Sequence, residues 1–201
     1  MLRIPFTQRE HIKEAIRLST EVLDRGGVIL VPTETFYGLA ARPDDRAAID
    51  RITQMKGRTT KMSLPVLVSD WQQLTSLVRV PEKYRGKLSR KWPSALTVVL
   101  PLITTLAAAT DTSLGIRIPE LDMLRALIYR IGPITGTSAN LHKEPPTNTA
   151  DESLESLLAP PDLVLDGGTT VGGMASTLVD LTGETSDVLR QGAVVWNDSI
   201  S

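Results

Sequence analysis

Four polar segments stand where apolar runs end, and they gather hydroxyls and cations. The first is Pro32-Thr33-Glu34-Thr35-Phe36-Tyr37-Gly38-Leu39, after the apolar run Val28–Val31. Proline ends a strand because it has no amide to donate, the threonines offer hydroxyls, and Gly38 permits a turn or close backbone approach. The second is Lys56-Gly57-Arg58, with Lys61 soon after. A guanidinium supplies planar forked donors and an ammonium a point charge, a pairing that clamps phosphate. The third is Thr137-Ser138-Ala139-Asn140, whose side chains can bind phosphate or ribose oxygens. The fourth joins Arg117 inside the apolar stretch Leu114–Ile118, Ser176 before Thr177–Leu181, and Arg190 in Val188-Leu189-Arg190-Gln191-Gly192. A buried, unpaired arginine is strongly unfavourable. Arg117 and Arg190 therefore either pair with acids (Glu120, Asp166, Asp180 and Asp187 are near in sequence) or face an anionic ligand. A site of hydroxyls and cations suits phosphoryl or nucleotidyl transfer, where the protein positions reactants and stabilises anionic oxygens.

Each segment also has a structural use. Threonines in a turn can satisfy their own backbone. Cations at a helix end complement its dipole, and Ser or Asn at a strand end can cap the next helix. What is absent narrows the chemistry. The 201 residues contain no cysteine and two histidines, His11 and His142. Thiolate nucleophiles, disulfides and Cys-ligated metals are excluded, and a multi-His metal site nearly so. No phosphate-loop, dinucleotide-loop, serine-hydrolase or zinc-protease signature occurs. Aromatic residues are 4%, too few for a broad base-stacking platform. His11 reads as solvated on a helix, and the carboxylate pairs Asp44-Asp45 and Asp151-Glu152 as helix-opening charges.

The elements that must position these segments follow from periodicity. Thr7 and Glu10 form a capping-box pair ahead of a helix with Ile12, Ala15, Ile16, Ser19, Val22 and Leu23 on one face, stopped at Gly26-Gly27. Helices are predicted over Asp44–Met55, Trp71–Leu77, Glu82–Lys91 and Leu121–Ile131, and from the capping box Thr149/Glu152 to near Leu158. Strands are predicted at Val28–Val31, Leu64–Val68, Leu96–Leu100, Leu114–Ile118, Pro133–Thr137, Leu163–Leu165, Ser176–Leu181 and Val188–Val195. Helices alternating with apolar strands give an α/β fold, a twisted mixed β-sheet with flanking helices, as a single domain over residues 1–201. No apolar run approaches a membrane span and no signal core precedes Glu10, so a cytoplasmic protein without a membrane partner is expected. Residues 1–100 carry 17 Lys/Arg against 10 Asp/Glu, and residues 101–201 carry 5 against 13. That asymmetry provides either a basic face for an anionic partner or two halves that neutralise each other.

Read in order, GGVILVPTETFYGL (26–39), MKGR (55–58), WPSALTVVLP (92–101), LGIRIP (114–119), GTSAN (136–140), DGG (166–168), ASTLVDL (175–181) and VLRQGAV (188–194) resemble the YrdC/TsaC-type L-threonylcarbamoyl-AMP synthases over nearly the whole chain. The resemblance implies a YrdC-like α/β fold around a concave cationic cavity. It implies a nucleotidyltransferase that condenses L-threonine, bicarbonate or CO2, and ATP, with Mg2+, and releases pyrophosphate. A threonylcarbamoyl-transferase complex would use the product in tRNA modification, and tRNA or double-stranded RNA is a further implied partner. By the same resemblance Thr35, Arg117 and Ser176 would seat threonine. Lys56, Arg58, Ser138 and Asn140 would be catalytic and contact the nucleotide, with Lys61 and Arg190 as further nucleotide contacts. No residue is implied as a metal ligand.

The chain departs from the family pattern at several points. Thr59 follows K-x-R in place of proline, and Lys61-Met62-Ser63 stands where a polar ATP contact is usual. Ser94 replaces a glycine after Trp92-Pro93, His142-Lys143-Glu144 replaces small residues, and Ala175 replaces a proline. The competing reading is an RNA-binding protein of the same fold without synthase activity, carried by Lys83, Arg85, Lys87, Arg90 and Lys91 at helical spacing. A small-molecule binding or related carbamoyl-transfer protein is a third.

Overall fold

The computed structural model describes residues 1–197. It contains the α/β fold, with its strands divided between two mixed sheets. In chain order the elements are β1 (Leu2–Pro5), α1 (Ile12–Leu23), β2 (Ile29–Val31), β3 (Gly38–Ala40), α2 (Arg46–Met55), β4 (Val66–Leu67), α3 (Trp71–Leu77), α4 (Glu82–Lys91), β5 (Leu96–Pro101), β6 (Ser113–Arg117), α5 (Asp122–Ile131), β7 (Ile134–Thr135), β8 (Thr137–Ser138), α6 (Ala150–Ser156), β9 (Leu163–Asp166), β10 (Thr177–Asp180) and β11 (Asp187–Arg190). The first sheet runs β1-β9-β2-β3-β8 and the second β11-β10-β5-β6-β4-β7.

Local signals explain most element ends. Asp45 caps α2 by accepting from the Ala48 amide at 3.1 Å. The Thr149/Glu152 capping box forms at α6, with Thr149 Oγ1 accepting from the Glu152 amide at 3.2 Å. The Thr7/Glu10 box does not form. A 3-10 turn, Arg9–His11, precedes α1, and His11 Nδ1 accepts from the amides of Thr7 (3.3 Å) and Gln8 (3.2 Å). His11 is therefore a capping group and not merely solvated. α1 and α5 bury Ala15, Leu18, Leu23, Leu124, Leu127 and Ile128 beneath the first sheet, while a second core packs Ile49, Ile52, Leu74 and Leu88 with the apolar strand residues Leu96, Val98 and Ile116.

The second sheet's other face is the one that matters for function. Side chains alternate across a strand, so Val98 and Ile116 enter the core while Thr97 and Arg117 turn the opposite way. Register places Thr97 beside Leu178 and Arg117 beside Leu67, which gives that face a common surface. The β3–β8 edge of the first sheet, paired Gly38 to Ser138, stands against it. Among the described residues no helix is long and apolar enough to cross a membrane.

Candidate active site

A cavity of about 440 Å³ lies between the two sheets. That is within the size range of small-molecule sites. Thr35, Lys56, Arg58, Arg117, Ser138, Asn140, Ser176 and Arg190 all line it. Among the described residues its wall carries five basic side chains, Lys56, Arg58, Arg117, Lys143 and Arg190, against one carboxylate, Glu144. The hollow is thus strongly cationic although the chain's formal charge is −1.

The end of α2 builds one side. Gly57 has φ 60, the left-handed conformation that lets the chain reverse directly after the helix. The carbonyls of Met55 and Lys56, which have no partner inside the helix, accept from the amides of Leu158 (3.0 Å) and His142 (2.9 Å). Lys56 is 1% exposed. Its Nζ donates to the carbonyls of Ser138 and, at 2.7 Å, of Asn140. The K-x-R turn and the S-x-N segment are thereby pinned together. Burial, with Arg58 nearby, pulls the Lys56 pKa down to about 7. Arg58 is half-buried and makes one long hydrogen bond, Nη2 to Thr137 Oγ1 at 3.4 Å; its Nε is buried without a partner. Burial lowers its pKa as well. Asn140 donates to the carbonyls of Leu141 (2.7 Å) and Glu144 (2.6 Å), leaving Oδ1 buried and unpartnered.

Arg117 and Ser176 build the other side. Arg117 is 6% exposed and meets Glu34 at 2.5 Å. Its partner is thus none of the acids near in sequence but the acid of the Pro32–Leu39 loop. Ser176 Oγ lies 2.9 Å from Thr97 Oγ1 and accepts from Arg190 Nη2 at 3.1 Å. Arg190 also donates to the Ser176 carbonyl, from Nε at 3.0 Å and Nη2 at 2.8 Å. Burial of its guanidinium, with Arg117 close by, lowers its pKa. Thr33 bonds the Thr35 amide (3.1 Å), the Phe36 amide (3.2 Å) and the Phe36 carbonyl (2.7 Å), so its hydroxyl shapes the loop. Thr35 Oγ1 lies 3.0 Å from it and faces the cavity. Unpartnered buried donors beside fixed carbonyls and hydroxyls make a site preorganised for anionic oxygens.

The Sua5/YciO/YrdC family model, described as telomere recombination, matches residues 21–192. The chain belongs to that family. A curated threonylcarbamoyl-AMP synthase of Pyrococcus abyssi is 33% identical over 193 residues, covering 92% of this chain and 56% of the relative. The chain thus spans little more than half of that protein. One from Photobacterium profundum is 30% identical over 177 residues, covering 85% of this chain and 95% of the relative. The crystal structure of P. abyssi Sua5 complexed with L-threonine superposes with a TM-score of 0.86 at 30% identity, over 96% of this chain and 58% of that one.

Within this Sua5/YciO/YrdC domain one expected contact lies elsewhere. Lys61 is outside the cavity wall; its ammonium turns outward to Asp50 at 3.3 Å, and Met62 and Ser63 take the wall instead. The basic run on α4 is also engaged. Lys83 donates to the Glu184 carbonyl, Lys87 to that of Asn197, and Lys91 to that of Val195 at 2.9 Å. Lys87 Nζ sits 4.1 Å from the centroid of the buried Trp196 ring. These lysines hold the C-terminal segment, while Lys83, Arg85 and Arg90 stay exposed on the helix. Thr97, Lys143 and Glu144 in the wall, and Glu34 behind it, had no role in the sequence reading. Thr97 is a polar residue inside the apolar strand Leu96–Leu100, a signal of the kind that exposed Arg117. Glu34 gives no such signal, because its pairing is purely tertiary.

Gly192 fixes the Ser176 wall. A Cβ there would stand 2.6 Å from the Ser176 carbonyl carbon and the Thr177 nitrogen, and closer still to the Ala175 oxygen. Thr177 opens β10, which is paired to β5, and Ala175 and Ser176 lead directly into it, so these backbone atoms cannot readily step aside. Gly192→Ala is expected to cost about 1–3 kcal/mol, which a thermal melt would read as roughly 2–4 °C per kcal/mol.

Proposed function

We propose that this chain is an L-threonylcarbamoyl-AMP synthase. It would condense L-threonine, bicarbonate or CO2, and ATP, releasing pyrophosphate. The observation that carries the reading is the convergence of Lys56, Arg58, Arg117, Ser138, Asn140, Ser176 and Arg190, scattered along the sequence, on one cationic cavity. The L-threonine complex of a relative sharing this fold supports the amino acid as substrate.

Arg117, with Ser176 and Thr35, seats the threonine carboxylate and hydroxyl. Lys56 and Arg58, beside Ser138 and Asn140, hold the triphosphate, and Arg190 reaches the nucleotide. A carbamate oxygen of N-carboxythreonine attacks the α-phosphorus; the P–O bond to the β-phosphate breaks and pyrophosphate leaves. Donors already fixed around those oxygens stabilise the charge that develops. Mg2+ accompanies ATP and shields phosphate charge when bound. No group of three His, Cys, Asp or Glu side chains gathers into a metal cage among the described residues. Glu144, the carboxylate of the wall, is the side chain that would face such an ion. The product would pass to a threonylcarbamoyl-transferase complex in the cytoplasm for tRNA modification.

Purified protein given L-threonine, bicarbonate and MgATP is expected to release pyrophosphate in a threonine-dependent manner. Serine, one methyl smaller, should be roughly 10–200-fold poorer in kcat/KM. ATP turnover that ignores the amino acid would refute the assignment.

A further inference from the structure

The Arg117–Glu34 contact belongs to the part of the cavity wall built on β5, β6 and the start of β10, whereas the K-x-R turn belongs to the part built by the end of α2 and the S-x-N segment. Both side chains are largely sealed, at 7% and 14% exposure, and their charges meet at 2.5 Å. Glu34 is itself anchored: Oε1 accepts from the Glu120 amide at 2.9 Å, at the turn that follows β6. Arg117 Nη2 is the atom that meets Glu34 Oε1, as an ion pair without hydrogen-bond alignment, while Arg117 Nε and Glu34 Oε2 are buried without a hydrogen-bond partner. Glu34 approaches from behind, since Arg117 is part of the cavity wall and Glu34 is not.

A charge count gives this contact its meaning. Arg190 lines the same part of the wall, where Arg117 is close enough to disfavour the charge on Arg190. Two guanidiniums alone would make a doubly positive pocket, well matched to a phosphate dianion. With one carboxylate locked against them the net charge is +1, which suits a single carboxylate. On the other side Lys56 and Arg58 form no ion pair among the described residues: Lys56 is bonded to carbonyls and Arg58 to a hydroxyl, and Lys56, whose pKa burial lowers, takes its full charge when a phosphate arrives. One hollow with cations in both parts of its wall must keep a triphosphate from binding in the wrong direction. Coulomb attraction in a poorly solvated site scales with the charge product, so cancelling one unit in one part separates the ligands by charge.

We infer that Glu34 is a specificity-determining residue: held against Arg117, it reduces the Arg117–Arg190 part of the wall to a single net positive charge, fitting it to a monocarboxylate and keeping phosphate groups at the Lys56–Arg58 part. The monocarboxylate is an amino acid under the function proposed above, and the inference rests on that reading for the ligand's identity only.

Inorganic phosphate and L-threonine, titrated by calorimetry, test it without any turnover. The wild-type protein is expected to bind phosphate at one class of site and to bind threonine with phosphate present, each affinity shifting less than about twofold. Mutual exclusion in the wild type would overturn the inference. Glu34→Gln keeps the acceptor for the Glu120 amide but removes the charge. It should gain a second phosphate site that competes with threonine, lowering apparent threonine affinity at least tenfold in phosphate. Glu34→Asp should keep the wild-type pattern, and Glu34→Gln/Arg117→Gln should lose the second site. A folded Glu34→Gln that binds phosphate as the wild type does would defeat the proposal. Should that variant melt below the assay temperature, the wild-type and Glu34→Asp titrations still decide. Failure of threonine to bind the wild type at all would count against the synthase reading, while the phosphate stoichiometries would still report on Glu34.

Discussion

Arg58→Ala is expected to lower the rate of pyrophosphate release by about 10²–10³-fold while the protein stays folded. The guanidinium spends little of its bonding capacity on the protein. It makes one 3.4 Å bond to Thr137, and its Nε is buried and unsatisfied. Burying it costs solvation, which is why its pKa falls. The alanine variant gives up almost no native interaction and should melt at or slightly above the wild-type temperature. In the reaction the same donors meet oxygens whose charge grows as pyrophosphate leaves, so the loss falls on kcat more than on the KM for ATP. Arg58→Lys keeps the charge but not the forked geometry and should recover only part of the rate. A coupled pyrophosphate assay beside a thermal melt checks both halves. Turnover within about fivefold of wild type would remove Arg58 from the site.

The site was legible from sequence where a residue violated its surroundings. Arg117 interrupts an apolar strand, and Lys56-Gly57-Arg58 ends a helix on a residue free to take positive φ; both lead into the cavity. The Thr149/Glu152 cap was legible from its three-residue spacing, but the same spacing at Thr7/Glu10 gives no box, because His11 takes the amides of Thr7 and Gln8. Legibility ended where long-range packing decides. β1 has four residues and no local partner, and it exists because Leu2–Pro5 lies in register beside Leu163–Asp166. The strand β3, three residues long, was hidden inside the Pro32–Leu39 loop, although its pairing with β8 is what brings Gly38 opposite Ser138. Helical spacing identified the basic face of α4 but not the segment lying over it, because a periodic pattern reveals which side chains share a face and not what that face meets. The Glu34–Arg117 pair belongs to the same class of omission.

Lys56 supports the second large effect, in which binding of MgATP near neutral pH takes up a proton. A neutral amine has two N–H donors, enough for the carbonyls of Ser138 and Asn140. Burial holds the folded pKa at about 7, well below the ordinary lysine value of 10.5. Between those values the folded protein binds fewer protons than the unfolded chain. This group's contribution to stability therefore rises with pH through the window and is least favourable below about pH 7. A phosphate brought to the cavity supplies the anion that makes a third N–H worthwhile and pulls the pKa back up. ATP affinity should be greatest below pH 7 and weaken by up to about tenfold per pH unit above it, until the pKa of the bound state is reached. Calorimetry at pH 8 in two buffers of different ionisation enthalpy should give different apparent enthalpies, reporting uptake of up to about one proton per ATP bound. Lys56→Met removes the titrating group and both carbonyl bonds. In that variant the Lys56 component of the buffer dependence should vanish, and the S-x-N segment should loosen, with a loss of roughly 1–3 kcal/mol for the two carbonyls left without a donor. Equal apparent enthalpies in both buffers for the wild-type protein would show that Lys56 is already charged before the nucleotide arrives.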